Sequence, residues 1–204
     1  MIKRRMARRT GDMARGAAAL AVNAAAFLVG VLGGFLLCGW LLQTGRLATG
    51  RMLDGYVLAL GAKQGQIRFG EALWDVGRWP CLVWVLGSTA LGRWMIPASF
   101  VARGFFLSFS VAGLAGAAQG GILLAVCLFG VNALVTLPVL FLLGTQSWEM
   151  AGRIRGRLFA RLREYPKRYW IRSLTGLGCI LLCALAEYLW LPNLLVRLAP
   201  LLTR

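Results

Sequence analysis

The uncharged run from Gly104 to Trp148, bounded by Arg103 and Glu149, constrains this chain more than any other stretch. A helix that crosses a bilayer needs about 20 apolar residues. The run is too long for one such helix and long enough for two. Its middle, Ala117-Ala118-Gln119-Gly120-Gly121, is polar and glycine-rich and is the natural place to turn. The run reads as a membrane hairpin, one limb reaching residue 118 from a start upstream and the other covering 121–145.

Composition puts the rest of the chain in the same class. Hydrophobic residues make up 59% of it and charged ones 15%, with mean hydropathy +0.70. A soluble domain carries about 25% charge and 45–50% apolar residues. The expectation is an all-α, polytopic membrane helix bundle with no separate soluble domain. The net charge of +16 invites a nucleic-acid reading. The Lys and Arg residues lie beside apolar spans, where the positive-inside rule expects them, and this argues against nucleic acid. The chain has no His, so the commonest general base and metal ligand is missing. Cys38, Cys81, Cys127, Cys179 and Cys183 all fall in apolar stretches without Cys-x-x-Cys spacing. They read as small hydrophobes rather than as a disulfide framework or zinc site.

In chain order, a basic N-terminus (1–15) precedes an uncharged run that predicts a first span over 18–42. It is too long for a signal-peptide core, although a cleaved targeting peptide stays open as the alternative. Gly30, Gly33 and Gly34 can admit a second helix at close range. Residues 43–78 mix both charges and predict one or two short amphipathic helices in an extracytoplasmic loop. A second span is expected over 79–94 and a third over 96–118, with Pro97 at the break. Arg103 falls inside the third span, where an arginine must face the bundle, a water cavity or the near interface. The fourth span, 121–145, contains Asn132 and Pro138. The stretch 148–170 is a basic amphipathic helix suited to an anionic leaflet or a docked partner. The fifth span, 171–191, holds one acid, Glu187, followed by Pro192; residues 192–204 form a short tail.

With the N-terminus inside, sixteen of the twenty-three Lys and Arg residues fall on inner segments and seven on outer ones. That bias favours five spans with the N-terminus in and the C-terminus out. It places Glu187 near the outer end of its span. Arg78, at the start of the second span, is the expected ion-pair partner, the other option being a neutral, hydrogen-bonded Glu187. Arg103, Asn132 and Glu187 are therefore the intramembrane polar candidates. They supply no triad, metal site or carboxylate pair, so neither catalysis nor a cofactor is expected.

The stretch Phe100-Val-Ala-Arg103-Gly104-Phe105-Phe106-Leu-Ser-Phe109 resembles the "RGF-x-x-GF" segment of the stage II sporulation protein M family. The span over Leu82–Pro97, with Gly87, Gly92 and Pro97, is similar to that family's "G-x-x-x-iG-x-P". The ending Ala184-Leu-Ala-Glu187-Tyr-Leu-Trp-Leu-Pro192 is similar to its "IEa-x-x-tP". Gly120-Gly121, Asn132 and Pro138 follow the family's order of turn, "PQN" site and "iP". The departures are Ser108 at the second glycine of "GF" and Gly130-Val131 ahead of Asn132. The resemblance covers about residues 65–198. It implies a multi-pass protein of the bacterial cell membrane that anchors and localises peptidoglycan-degrading partners during forespore engulfment, these being the stage II sporulation D and P proteins. Membrane lipids and a second copy of the chain are further partners to expect. The competing expectation is a small permease subunit of an ATP-driven transporter, with the basic 148–170 helix as coupling element.

Overall fold

The computed structural model describes the backbone of residues 2–45, 69–116, 122, 125–152 and 167–202. Every regular element among them is helical. We label the helices α1 (Ile2–Gln43), α2 (Phe69–Gly87), α3 (Gly92–Ala115), α4 (Val131–Ala151) and α5 (Lys167–Leu202); a π-helical turn, Val126–Gly130, leads into α4. Four stretches are long and apolar enough to cross a membrane: Arg15–Gln43, Gly92–Ala115, Asn132–Ala151 and Tyr169–Ala186. The regular elements among the described residues are thus all helical, and four of these helices have the length and composition of membrane spans.

The helices alternate in direction. α1 and α3 run parallel, with Gly30 against Val101, Gly34 against Phe105 and Gly116 against Leu42. α2 is antiparallel to α5, because Phe69 meets Tyr188 at one end and Trp84 meets Trp170 at the other. α4 opposes both α1, through the Phe27–Phe141 pair, and α5, through Leu143 on Gly176. It packs on all four of the other helices.

The tightest seam joins α1 to α3, and glycines make it. A Cβ on Gly30 or Gly34 would overlap the carbonyls of Val101 and Phe105, and one on Gly104 would overlap the Phe27 carbonyl. Gly30 and Gly34 are four residues apart and share one face of α1, so the backbones touch as in other small-residue membrane crossings. Gly33 stands to the side, where an added Cβ would lie 3.8 Å from the Phe105 ring. The hydroxyl of Ser108 donates to the Val31 carbonyl at 2.7 Å and ties the same two helices.

Several helix limits differ from expectation. The first span expected over 18–42 lies within α1, which begins already at Ile2 and takes in the basic residues ahead of it. The end of the 43–78 stretch, expected as loop with short amphipathic helices, and the second span expected from 79 are one continuous helix, α2, which passes through Pro80. Its break falls at 88–91 instead of Pro97. There the hydroxyls of Ser88 and Thr89 bond back to the carbonyls of Val85 and Leu86 at 2.6 and 2.9 Å, closing the helix end. Pro97 then sits inside α3. A proline removes the bond to the carbonyl four residues earlier, here that of Arg93. Trp148 Nε1 donates to that carbonyl instead, at 3.0 Å, so the helix need not stop. α4 continues to Ala151 rather than ending at 145, because Trp148 and Ser147 pack inward against α3 and α2. α5 runs through Pro192 to Leu202. The hairpin turn expected at 117–121, the loop over 46–68 and the basic segment 153–166 lie outside the described residues.

Candidate functional site

Arg103 stands at the middle of α3. Glycine 104 beside it is committed to α1, which turns Arg103 toward α2. Its guanidinium carbon lies 5.9 Å above the Trp79 ring, and Phe106 meets the same ring at 6.3 Å. The side chain is half-buried. Its Trp79 contact is with α2, a neighbouring helix of the bundle. A cation over a tryptophan face is worth about 0.5–2 kcal/mol, more when water is excluded.

One residue before Trp79 is Arg78. It lies 4.0 Å from Asp75 on the same helix, and both side chains are more than half exposed. An exposed pair three residues apart contributes about 0.3–0.5 kcal/mol. The expected partner, Glu187, has a side chain outside the described residues. The register is clear all the same. Gly77 abuts Ile180, and Phe69 abuts Tyr188. Arg78 is therefore level with residues 179–180, and position 187 is about 10 Å further along the axis at 1.5 Å per residue.

Asn132 lies just after the π-helical turn. Its backbone carbonyl accepts the Thr136 hydroxyl at 2.8 Å, and its Oδ1 accepts the Cys183 thiol at 3.8 Å. This is an interhelical contact between α4 and α5, as expected for an intramembrane amide. Because Phe100 packs against Gly144 and Phe141, Arg103 is level with residue 141. Asn132 is then about 14 Å away along the axis. The two candidates do not form one site.

A second polar group was not singled out from sequence. Asn23 is fully buried, and both its Nδ2 and Oδ1 lack hydrogen-bond partners. It points at Gly144, whose added Cβ would lie 3.4 Å from Nδ2 and 2.6 Å from the Phe100 ring. Gln146 Oε1, Ser147 Oγ, Ser173 Oγ and Trp84 Nε1 are likewise buried and unpaired. All fall near the level of residues 143–147 of α4, toward the N-terminal end of α1. An unpaired buried polar group costs about 1–3 kcal/mol. Asn23→Leu, similar in size, is therefore expected to raise the midpoint of thermal unfolding in detergent, by a stability gain of about 1–2 kcal/mol. A fall in the midpoint would show that Asn23 has partners in the membrane. Asn23 is the only amide in the uncharged run from Gly16 to Leu42, and that isolation was the available signal.

The end of the bundle nearest this layer carries the charge. Arg93 stacks over Trp148 at 5.6 Å, and Glu149 lies beside Gly16. Trp94 and Trp170 are exposed at this end, Trp40 at the other. Such rings favour membrane–water interfaces. No protein-family model, curated protein or solved structure matches the chain.

Proposed function

We propose that this protein is an integral membrane scaffold of the stage II sporulation protein M kind, with five crossings, N-terminus inside and C-terminus outside, in a bacterial cell membrane. Its role is to anchor and localise cell-wall hydrolases during forespore engulfment. One observation carries the reading: Arg103-Gly104-Phe105, where the resemblance is closest, is also the point at which α1, α2 and α3 meet. Gly104 seats α3 on the Phe27 carbonyl, Phe105 covers Gly33 and Gly34, and Arg103 lies on Trp79. Backbones in glycine contact make a stiff frame, which suits anchoring. The five alternating helices, and the Lys and Arg bias in the sequence, support the orientation.

The test is co-purification from sporulating cells. Cell-wall hydrolases are expected to come down with the intact chain and to be lost when residues 46–68 are replaced by a neutral linker. A deletion strain that completes engulfment would contradict the reading. The unpaired layer around Asn23 favours a second reading, a permease subunit with a polar path. ATP-dependent solute flux in proteoliposomes containing the chain and a partner ATPase would support it.

A further inference from the structure

Where α2, α4 and α5 meet, Val76, Leu143, Ile180 and Ala184 form an apolar cluster. The next layer toward the start of α5 is polar, and its members are Trp84, Gln146 and Ser173. The helix register sets all three at one height. Gly77 abuts Ile180 and Phe69 abuts Tyr188, so Trp84 is level with residue 173 of the antiparallel α5. Leu143 abuts Gly176, so Gln146 is level with residue 173 as well. The faces agree too, since residues seven apart on a helix share a face. Trp84 is seven residues after Gly77, and Ser173 is seven before Ile180. Gln146 is seven after Val139, which packs on the apolar cluster. Met150 and Tyr169, both buried and again level with each other, close the layer on its other side.

Each of the three residues brings one buried atom without a hydrogen-bond partner: Trp84 Nε1, Gln146 Oε1 and Ser173 Oγ. These are a donor, an acceptor and a hydroxyl that serves as either. None carries a charge, so the set suits a small neutral molecule that both donates and accepts. A water buried in a protein makes about three hydrogen bonds to groups that lack other partners.

We propose that this junction binds one ordered water molecule, which joins α2, α4 and α5. Trp84 Nε1 donates to the water oxygen, and the water donates to Gln146 Oε1 and to Ser173 Oγ. Apolar contacts alone distinguish poorly between a neighbouring helix and lipid; the water adds a polar link that fixes the register of the three helices. Asn23 lies outside this site. It points at Gly144, two residues before Gln146 and about 200° around α4. The two amides therefore respond oppositely to leucine. Asn23→Leu removes a group without a partner, whereas Gln146→Leu strands Trp84 and Ser173.

The test uses the full chain, labelled with nitrogen-15, in detergent micelles. Trp84→Phe identifies the Trp84 indole signal among those of the eight tryptophans. In the parent chain that indole proton is expected to show a cross-relaxation peak to a long-lived water. The peak is expected to be lost in Gln146→Leu and in Ser173→Ala. Gln146→Leu is also expected to lower the midpoint of thermal unfolding, opposite in sign to Asn23→Leu. A parent chain without the peak would overturn the proposal, whether or not the variants fold. A peak that survives either substitution would do the same, because the water would then not be held by these three groups. So would a midpoint raised by Gln146→Leu.

Discussion

Gly104→Leu is expected to abolish the folded bundle. A leucine there meets the Phe27 carbonyl and the Val31 amide, both backbone atoms. A side chain can rotate away from an intruder, whereas a helix backbone must move as a whole. Separating α1 from α3 breaks the Ser108–Val31 hydrogen bond and lifts Phe105 from Gly33. Overpacking in a core costs about 1–3 kcal/mol when side chains can adjust; here the loss belongs at or beyond the top of that range. Gly30→Leu attacks the same seam from α1 and is expected to match it. Gly178→Ala is the control, since nothing lies within 4 Å of its added Cβ and alanine favours a helix by about 1 kcal/mol. Monodisperse yield after detergent extraction, with thermal unfolding, measures all three. A Gly104→Leu protein as stable as the parent would show that the glycine seam is not what joins these helices.

Trp148→Ala is expected to be the next most damaging change. The indole packs on the cluster of Val83, Ile96, Phe100 and Leu140. It also donates to the Arg93 carbonyl and lies under the Arg93 guanidinium. Replacing a fully buried tryptophan by alanine costs about 3–5 kcal/mol; Trp148 is partly buried, so the expected loss lies at the low end of that range. Trp148→Phe keeps most of the packing but loses the donor, with an expected cost of about 1–2 kcal/mol. Pro97 makes this pair informative. Pro97→Ala restores an amide that can bond the Arg93 carbonyl, so Trp148→Phe is expected to cost less in that background. A thermodynamic cycle over the two positions reads the coupling directly. Additive effects would mean that the indole hydrogen bond does not compensate for the proline.

The contrast between Gly104 and Pro97 shows what a sequence makes legible. α1 stands out because its apolar run is unbroken; the spacing of Gly30 and Gly34 admits a close helix but equally fits glycines merely tolerated in a membrane helix, and only α3 decides between the two. The place of Arg103 inside a helix was equally plain. Its neighbour was not, since Trp79 reads as an interface residue until α2 is known to pass beside α3. Pro97 misleads for a related reason. Whether a proline ends a helix depends on who bonds the carbonyl it frees, and Trp148 is 51 residues away in sequence. Asp75 and Arg78 hide the continuity of α2, because charge usually marks the end of a span. Asn23 was visible as a lone amide, but its burial depends on Phe100 and Gly144 arriving from two other helices.

The central claim is a bundle whose helices cross a membrane alternately, with α2 crossing despite its charges. Single cysteines at Gly45, Ser88, Gln119, Gly152 and Arg204, placed in a cysteine-free chain, test it by labelling with an impermeant maleimide in intact cells. The account predicts labelling at Gly45, Gln119 and Arg204, and protection at Ser88 and Gly152 until the cells are opened. Labelling of both Gly45 and Ser88 in intact cells would mean that α2 does not cross, and would contradict the account.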